Sequence, residues 1–183
     1  LSEICVSISI SGFSSVDFAG AVLPNLEYIQ ASSVFVSCSG SFGVTFSKLS
    51  NLGGANMFAY CRSLKYFITP VLSTSIYNAP SAFYYCDYLS LVSCSLLTFI
   101  TNSPYIFAKA GSTTSGMEMY FPNVSLISQC ENFADSACIN NIVFSSLSSM
   151  WGINEGFYYA KFLSSVIDWF PNLTTLSACG SLF

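Results

Sequence analysis

The sequence predicts a repeat solenoid: about seven stacked units of 23–27 residues, forming one domain over residues 1–183. Three observations lead there. The stretch Phe46–Val92 carries one phrase twice, with Phe58-Ala59-Tyr60-Cys61 standing 25 residues before Phe83-Tyr84-Tyr85-Cys86. Paired apolar anchors of the form L-x-x-L recur at near-constant spacing. A Pro-Asn corner returns in phase as Leu23-Pro24-Asn25-Leu26, Phe121-Pro122-Asn123-Val124 and Phe170-Pro171-Asn172-Leu173. Units this short cannot bury an apolar side alone, whereas stacked coils can.

In chain order the anchor pairs are Leu1/Ile4, Leu26/Ile29, Leu49/Leu52, Thr74/Tyr77, Leu97/Ile100, Val124/Ile127, Leu147/Met150 and Leu173/Leu176. Their spacings are 25, 23, 25, 23, 27, 23 and 26 residues. Thr74 is a poor anchor, and Leu72 or Ile76 is available to the core in its place. Past each pair comes a large aromatic: Phe35, Phe58, Phe83, Phe107, Phe133 and Phe157. Three residues further on the side chain is small: Cys38, Cys61, Cys86, Ala110, Ser136 and Ala160. These two series form the expected core ladder. A second set of anchors follows as Leu64/Phe67, Leu89/Val92, Ile139/Ile142 and Leu163/Val166, and the pattern weakens at Ser41 and Thr113.

The corners have a chemical logic. Proline fixes φ and lacks an N–H, which suits a bend between two short extended segments, and Asn can bond its own backbone in such a turn. Cys38, Cys61 and Cys86 share one repeat position and read as small apolar core residues. Cys5, Cys94, Cys130, Cys138 and Cys179 lie off that ladder and are the better disulfide candidates, with pairing left open. With no His and no CxxC, a structural zinc site is not expected.

Composition narrows the function classes. Charged residues make up 8% of the chain, against roughly 25% in an ordinary soluble domain. Its 34 serines supply polarity through hydroxyls instead. A net charge of −4 with five scattered basic residues argues against nucleic acid. Mean hydropathy is +0.59, and the uncharged runs 66–86 and 88–108 reach spanning length. Prolines, serines and asparagines interrupt both runs, so no transmembrane span is expected. So little charge on so apolar a chain points to cover by neighbours or by glycan.

The line Met57-Phe58-Ala59-Tyr60-Cys61-Arg62-Ser63-Leu64-Lys65-Tyr66-Phe67-Ile68-Thr69-Pro70 and its echo from Ala82 to Val92 resemble the BspA-like class of leucine-rich repeats. The resemblance implies a right-handed coil of short parallel strands, with loops or short helical turns opposite. It also implies a secreted or surface-exposed protein used in adhesion. The sequence departs from that class in its wandering spacing, its aromatics, and the loss of the ladder cysteine after Cys86.

No catalytic constellation is legible. The absence of His removes the usual base for a Ser or Cys nucleophile. The nine carboxylates are dispersed, Glu131 and Asp135 being the pair considered for a glycosidase-like role and read as a solvated loop. No cofactor is expected, and the chain is read as non-enzymatic. Asn123-Val124-Ser125 and Asn172-Leu173-Thr174 are N-glycosylation acceptors on one predicted edge, and a corner Asn kept for turn geometry is the competing reading. Outward Ser, Thr and Asn serve either for solvation or as a contact or glycan-bearing face.

Two roles follow as expectations. The first is an extracellular or cell-surface structural and adhesive module, stacking on itself into a fibre or larger assembly. No polar capping unit is legible at Leu1-Ser2-Glu3-Ile4 or Gly180-Ser181-Leu182-Phe183, so continuation or stacking beyond both ends is expected. The second is a recognition ectodomain of an adhesin or receptor, binding protein or glycan on one solenoid face.

Overall fold

A computed structural model describes residues 3–4, 25–38, 41–162 and 170–182. It is a parallel β-solenoid, with no helix among those residues. The strands in chain order are β1 (Glu3–Ile4), β2 (Tyr28–Ile29), β3 (Phe42–Thr45), β4 (Asn51–Leu52), β5 (Leu64–Ile68), β6 (Ser75–Tyr77) and β7 (Leu91–Ser93). They continue as β8 (Phe99–Thr101), β9 (Met117–Tyr120), β10 (Leu126–Ser128), β11 (Cys138–Val143), β12 (Ser149–Trp151), β13 (Lys161–Phe162) and β14 (Thr175–Ser177). The chain alternates between two parallel sheets, β1-β2-β4-β6-β8-β10-β12-β14 and β3-β5-β7-β9-β11-β13. Where the family resemblance implies loops or short helical turns opposite the strands, this chain has a second sheet.

Each strand contributes one or two inward side chains, because side chains alternate along a strand. In the first sheet Ile29, Leu52, Ile76, Ile100, Ile127 and Met150 stand in register and are 0–1% exposed. In the second sheet Val44, Phe67, Val92, Met119 and Ile142 stand in register and are 0–4% exposed. Each such side chain contributes about 1.5–3 kcal/mol on full burial. A coil supplies only a few of them, so stability depends on the coils above and below.

The first-sheet register corrects one anchor pair. Leu72 and Ile76 are both buried, while Thr74 faces water and Tyr77 is 59% exposed. One extra residue between Leu72 and Ile76 shifts the pair from the usual spacing of three. The weak step after Cys38 is filled by Val44, and the one after Ala110 by Met117 and Met119 beyond a longer loop at 111–116.

The third side of each coil is a turn segment, 32–37 in the first described coil and 55–60 in the next. Its backbone is left-handed at two points four residues apart, as at Ser33 and Ser37 (φ 61° and 58°), Asn56 and Tyr60 (56° and 60°), or Ser81 and Tyr85 (both 57°). Non-glycine residues adopt this region at a cost of roughly 1–2 kcal/mol each. Inter-coil hydrogen bonds offset that cost: Asn56 N donates to Pro80 O at 2.8 Å, Phe58 N to Ala82 O at 2.7 Å and Tyr60 N to Tyr84 O at 2.7 Å. The alternation copies a parallel ladder without extended backbone.

Inside that side the Phe rings stack along the solenoid axis. Phe35–Phe58, Phe58–Phe83 and Phe83–Phe107 have centroids 4.9, 5.5 and 5.3 Å apart and interplanar angles of 9°, 3° and 8°. The stack breaks at Phe133, where the angles to Phe107 and Phe157 become 73° and 63°. The backbone register explains this. Phe107 N donates to Phe133 O, and Ala134 N to Gly156 O, so Ala134 holds the position of Phe107 and Phe133 lies one residue early. The small position of that coil is accordingly buried Ala137, while Ser136 takes the left-handed site at φ 54°.

The opposite corner is a four-residue turn whose ends are Phe46/Leu49, Cys94/Leu97, Phe121/Val124, Phe144/Leu147 and Phe170/Leu173, each closed by an N–H···O bond of 3.2–3.4 Å. Pro122 and Pro171 occupy the second turn position, where their fixed φ fits. The corner asparagines differ from the sequence expectation. Asn123 Nδ2 donates to Ser95 O at 2.7 Å and Asn172 Nδ2 to Ser145 O at 2.6 Å, so each amide ties its corner to the preceding coil.

None of the described cysteines is in a disulfide. Cys94, Cys130 and Cys138 are buried and unpaired, which overturns them as disulfide candidates; Cys179 is half-buried and free, and Cys5 lies outside the described residues. Among the described residues no helix is long and apolar enough to cross a membrane.

Candidate functional site

Glu131 and Asp135 occupy one turn segment, with Glu131 exposed and Asp135 accepting a hydrogen bond from Ser136 Oγ at 2.9 Å. Asp135 also interacts electrostatically with Lys109 and helps raise its pKa. Among the described residues no group of three or more His, Cys, Asp or Glu side chains is placed to hold a metal ion. The hydrogen bond with Cys61 lowers the Cys38 pKa, while Cys61, Cys86, Cys94 and Cys130 are held neutral. Burial pushes Cys94 and Cys130 up to about 12, and raises Cys86 further. Cys61 is raised by its hydrogen bond with Cys38 and then by burial. Neutral buried thiols are poor nucleophiles.

What the fold does assemble is a trough along one margin of the first sheet. Just past the inward Ile ladder, Gly54, Asn78, Asn102, Gln129, Gly152 and Ala178 all have positive φ, from 49° to 111°. Each marks the bend where a strand turns into the third side. Two grooves open there. The first, about 420 Å³, has the Gly53–Gly54 backbone as its floor and is lined by Gln30, Ser32, Asn51, Ser75, Tyr77 and Asn78. Gly53 stands between Gln30 and Tyr77 in the outward column, so the gap exists because one rung lacks a side chain. The second, about 440 Å³, is lined by Asn102, Pro104, Gln129, Glu131, Trp151, Gly152 and Ala178. Asn102 Nδ2 donates to Asn78 Oδ1 at 3.2 Å, joining a wall of one groove to a wall of the other.

A second exposed feature lies on the turn side. Tyr60 and Tyr85 stack at 5.5 Å and 13°, and Lys109 Nζ sits 4.7 Å above the Tyr85 ring while donating to Tyr85 Oη of the same column at 2.9 Å. That hydrogen bond, then the Tyr84 phenol, raises the Lys109 pKa, and burial raises that of Tyr84. Tyr159, 72% exposed, takes the same position three coils beyond Tyr85, past Lys109 and Ser136.

The two sequon asparagines are exposed and occupy the same corner position two coils apart, about 10 Å at the usual strand spacing. An amide has two N–H donors, and each of these uses one on the preceding coil. The ladder residues Phe35, Phe58, Phe83, Phe107, Phe133, Phe157, Cys38, Cys61 and Cys86 lie in the core and line neither of these two grooves.

The trough was not legible as a site in the sequence. Tyr77 reads as an inward anchor until the extra residue before Ile76 is recognised, and Trp151 follows an anchor without any motif. The usable signal was Gly53-Gly54, which reads simply as a turn.

No protein-family model, curated protein or solved structure matches the chain.

Proposed function

We propose that the protein is a non-enzymatic structural and adhesive repeat module of the cell surface or extracellular space, which self-associates by stacking its solenoid end to end. One observation carries the reading. The inward ladder of the first sheet is 0–1% exposed at six successive rungs, from Ile29 to Met150, and then Leu176 on β14 is 53% exposed. Among the described residues, strand β14 has one strand neighbour, β12, and β1 at the other margin has one, β2. A further coil placed on β14 closes the ladder and satisfies the edge, whether it comes from the same chain or from a second copy. Joining the β14 edge of one copy to the β1 edge of the next is a head-to-tail contact, which propagates rather than closes.

The sparse charge supports this, since few like charges oppose edge pairing. The resemblance to surface leucine-rich repeats and the exposed sequons support the extracellular setting, with covalent glycans as partners of that edge. Light scattering and electron microscopy of purified protein test it. Concentration-dependent assembly is expected, weakened at least tenfold by Leu176→Lys, which puts a charge on the stacking face at a half-exposed position. A monomer at every concentration, or an assembly indifferent to Leu176→Lys, overturns the stacking.

A further inference from the structure

The geometry points to a binding site for a linear, neutral oligosaccharide in the trough beside the first sheet, with Tyr77 and Trp151 as its two stacking platforms. The inference stands independently of end-to-end stacking.

The lining chemistry selects the ligand class. Both grooves present an exposed aromatic beside side-chain amides, Tyr77 with Gln30 and Asn51, and Trp151 with Gln129 and Asn102, and the first adds the hydroxyls of Ser32 and Ser75. The amides of Gln30, Asn51 and Gln129 find no hydrogen-bond partner among the described residues, so donors and acceptors are free for a ligand. Sugar rings match this pairing, offering a C–H face for an aromatic and a hydroxyl rim for amides. No Lys or Arg lines either groove, and Glu131 is the one charged residue that does. A phosphorylated or sulfated chain, or a nucleic acid, would find no counter-charge there. An extended peptide is the weaker fit, because the first-sheet strands bordering the trough spend their backbone groups on neighbouring strands.

The spacing selects a linear chain. Tyr77 and Trp151 share one outward column, on β6 and β12, with β8 and β10 between them. Three strand spacings of about 4.8 Å separate them by about 14 Å. One rung approximates the length of one β-linked hexose, so a chain running along the solenoid axis meets equivalent backbone at each sugar. The two grooves lie along the same margin, and the Asn78–Asn102 hydrogen bond joins their walls. Open, shallow polar grooves of this kind bind through several modest subsites rather than one deep pocket.

Titration calorimetry of the full chain with β-1,4-linked hexasaccharides of glucose, N-acetylglucosamine and mannose tests this, with a heparin hexasaccharide and an extended ten-residue peptide as comparators. One neutral hexasaccharide is expected to bind at least tenfold more tightly than its disaccharide. Tyr77→Ala and Trp151→Ala, both at exposed positions, are each expected to weaken it at least tenfold, with unchanged melting temperature. Tyr159→Ala, on the turn side, is expected to leave it unchanged. The inference is overturned by failure of all three neutral hexasaccharides at millimolar concentration, by tighter binding of heparin or the peptide, or by indifference to both trough substitutions.

Discussion

The Cys86 thiol donates a hydrogen bond to the Phe58 carbonyl oxygen of the preceding coil at 3.1 Å. Cys61 repeats the contact to Phe35 O. That oxygen already accepts the N–H of the residue closing its own turn, Cys61 N to Phe58 O at 3.0 Å, and the thiol takes its second lone pair. The cysteine ladder is thus core packing with a weak inter-coil donor added. Ala110 fills the same position one coil later, so the donor is an addition rather than a requirement. Cys86→Ala is therefore expected to cost about 1 kcal/mol, the typical worth of one hydrogen bond. Cys86→Leu should cost about 1–3 kcal/mol by overpacking. Chemical denaturation of both variants checks the order.

Phe83 is sandwiched between two parallel rings and touches Phe67 edge-on at 4.9 Å. Phe83→Ala is expected to destabilise by about 3–5 kcal/mol, the usual range for a buried aromatic. Phe83→Leu should recover more than half of that loss in urea melts. Equal losses for Ala and Leu would show that ring stacking, not volume, dominates.

Gly54 and Gly152 occupy the same bend but differ in what surrounds them. At Gly54, φ is 111°, and an added Cβ would run into the Ala31 carbonyl. At Gly152, φ is 64° and the nearest atom to such a Cβ, Gln129 N, is 3.4 Å away. Gly152→Ala should cost about 1 kcal/mol, as for a left-handed residue, and Gly54→Ala clearly more. Thermal melts of the two variants side by side give the comparison.

The buried thiols set an alkaline limit. Folded Cys94 and Cys130 are pushed up to about 12 from an ordinary 9.0, so the folded state keeps protons that the unfolded chain releases. Their contribution is complete below pH 9 and is lost as pH rises towards 12. Unfolding free energy should fall above pH 9 by up to about 1.4 kcal/mol per pH unit for each thiol. Cys94→Ala should flatten the slope. Under native conditions at pH 8, iodoacetamide is expected to label Cys179 and to spare Cys61, Cys86, Cys94 and Cys130. Mass spectrometry reads both outcomes.

The corner asparagines separate glycan attachment from structure. Expressed in a eukaryotic secretory host, the chain should carry glycan mass at Asn123 and Asn172, lost one unit at a time in Asn123→Gln and Asn172→Gln. In unglycosylated protein each change should cost about 0.5–1.5 kcal/mol through the lost bond to Ser95 O or Ser145 O. A stability loss without any glycan mass would leave the inter-coil clamp as the whole role of these residues.

The sequence by itself determined that the chain is a solenoid and which residues fill it. Period is a one-dimensional property, and a coil that must stack on its copies repeats its apolar residues whatever the backbone does between them. That is why Phe58/Phe83 and Cys61/Cys86 announce the core. The tertiary structure alone decided register within the coil. One added residue before Ile76 sends Tyr77 to the surface, and one shifted residue in the turn makes Ala137, not Ser136, the successor of Ala110. Hydrogen bonds to the neighbouring coils fix those choices, and no local pattern encodes them. The trough belongs to the same class: it exists because Gly53 removes a side chain from one rung while Tyr77 and Trp151 stand three rungs apart, a relation between residues 74 positions distant in sequence.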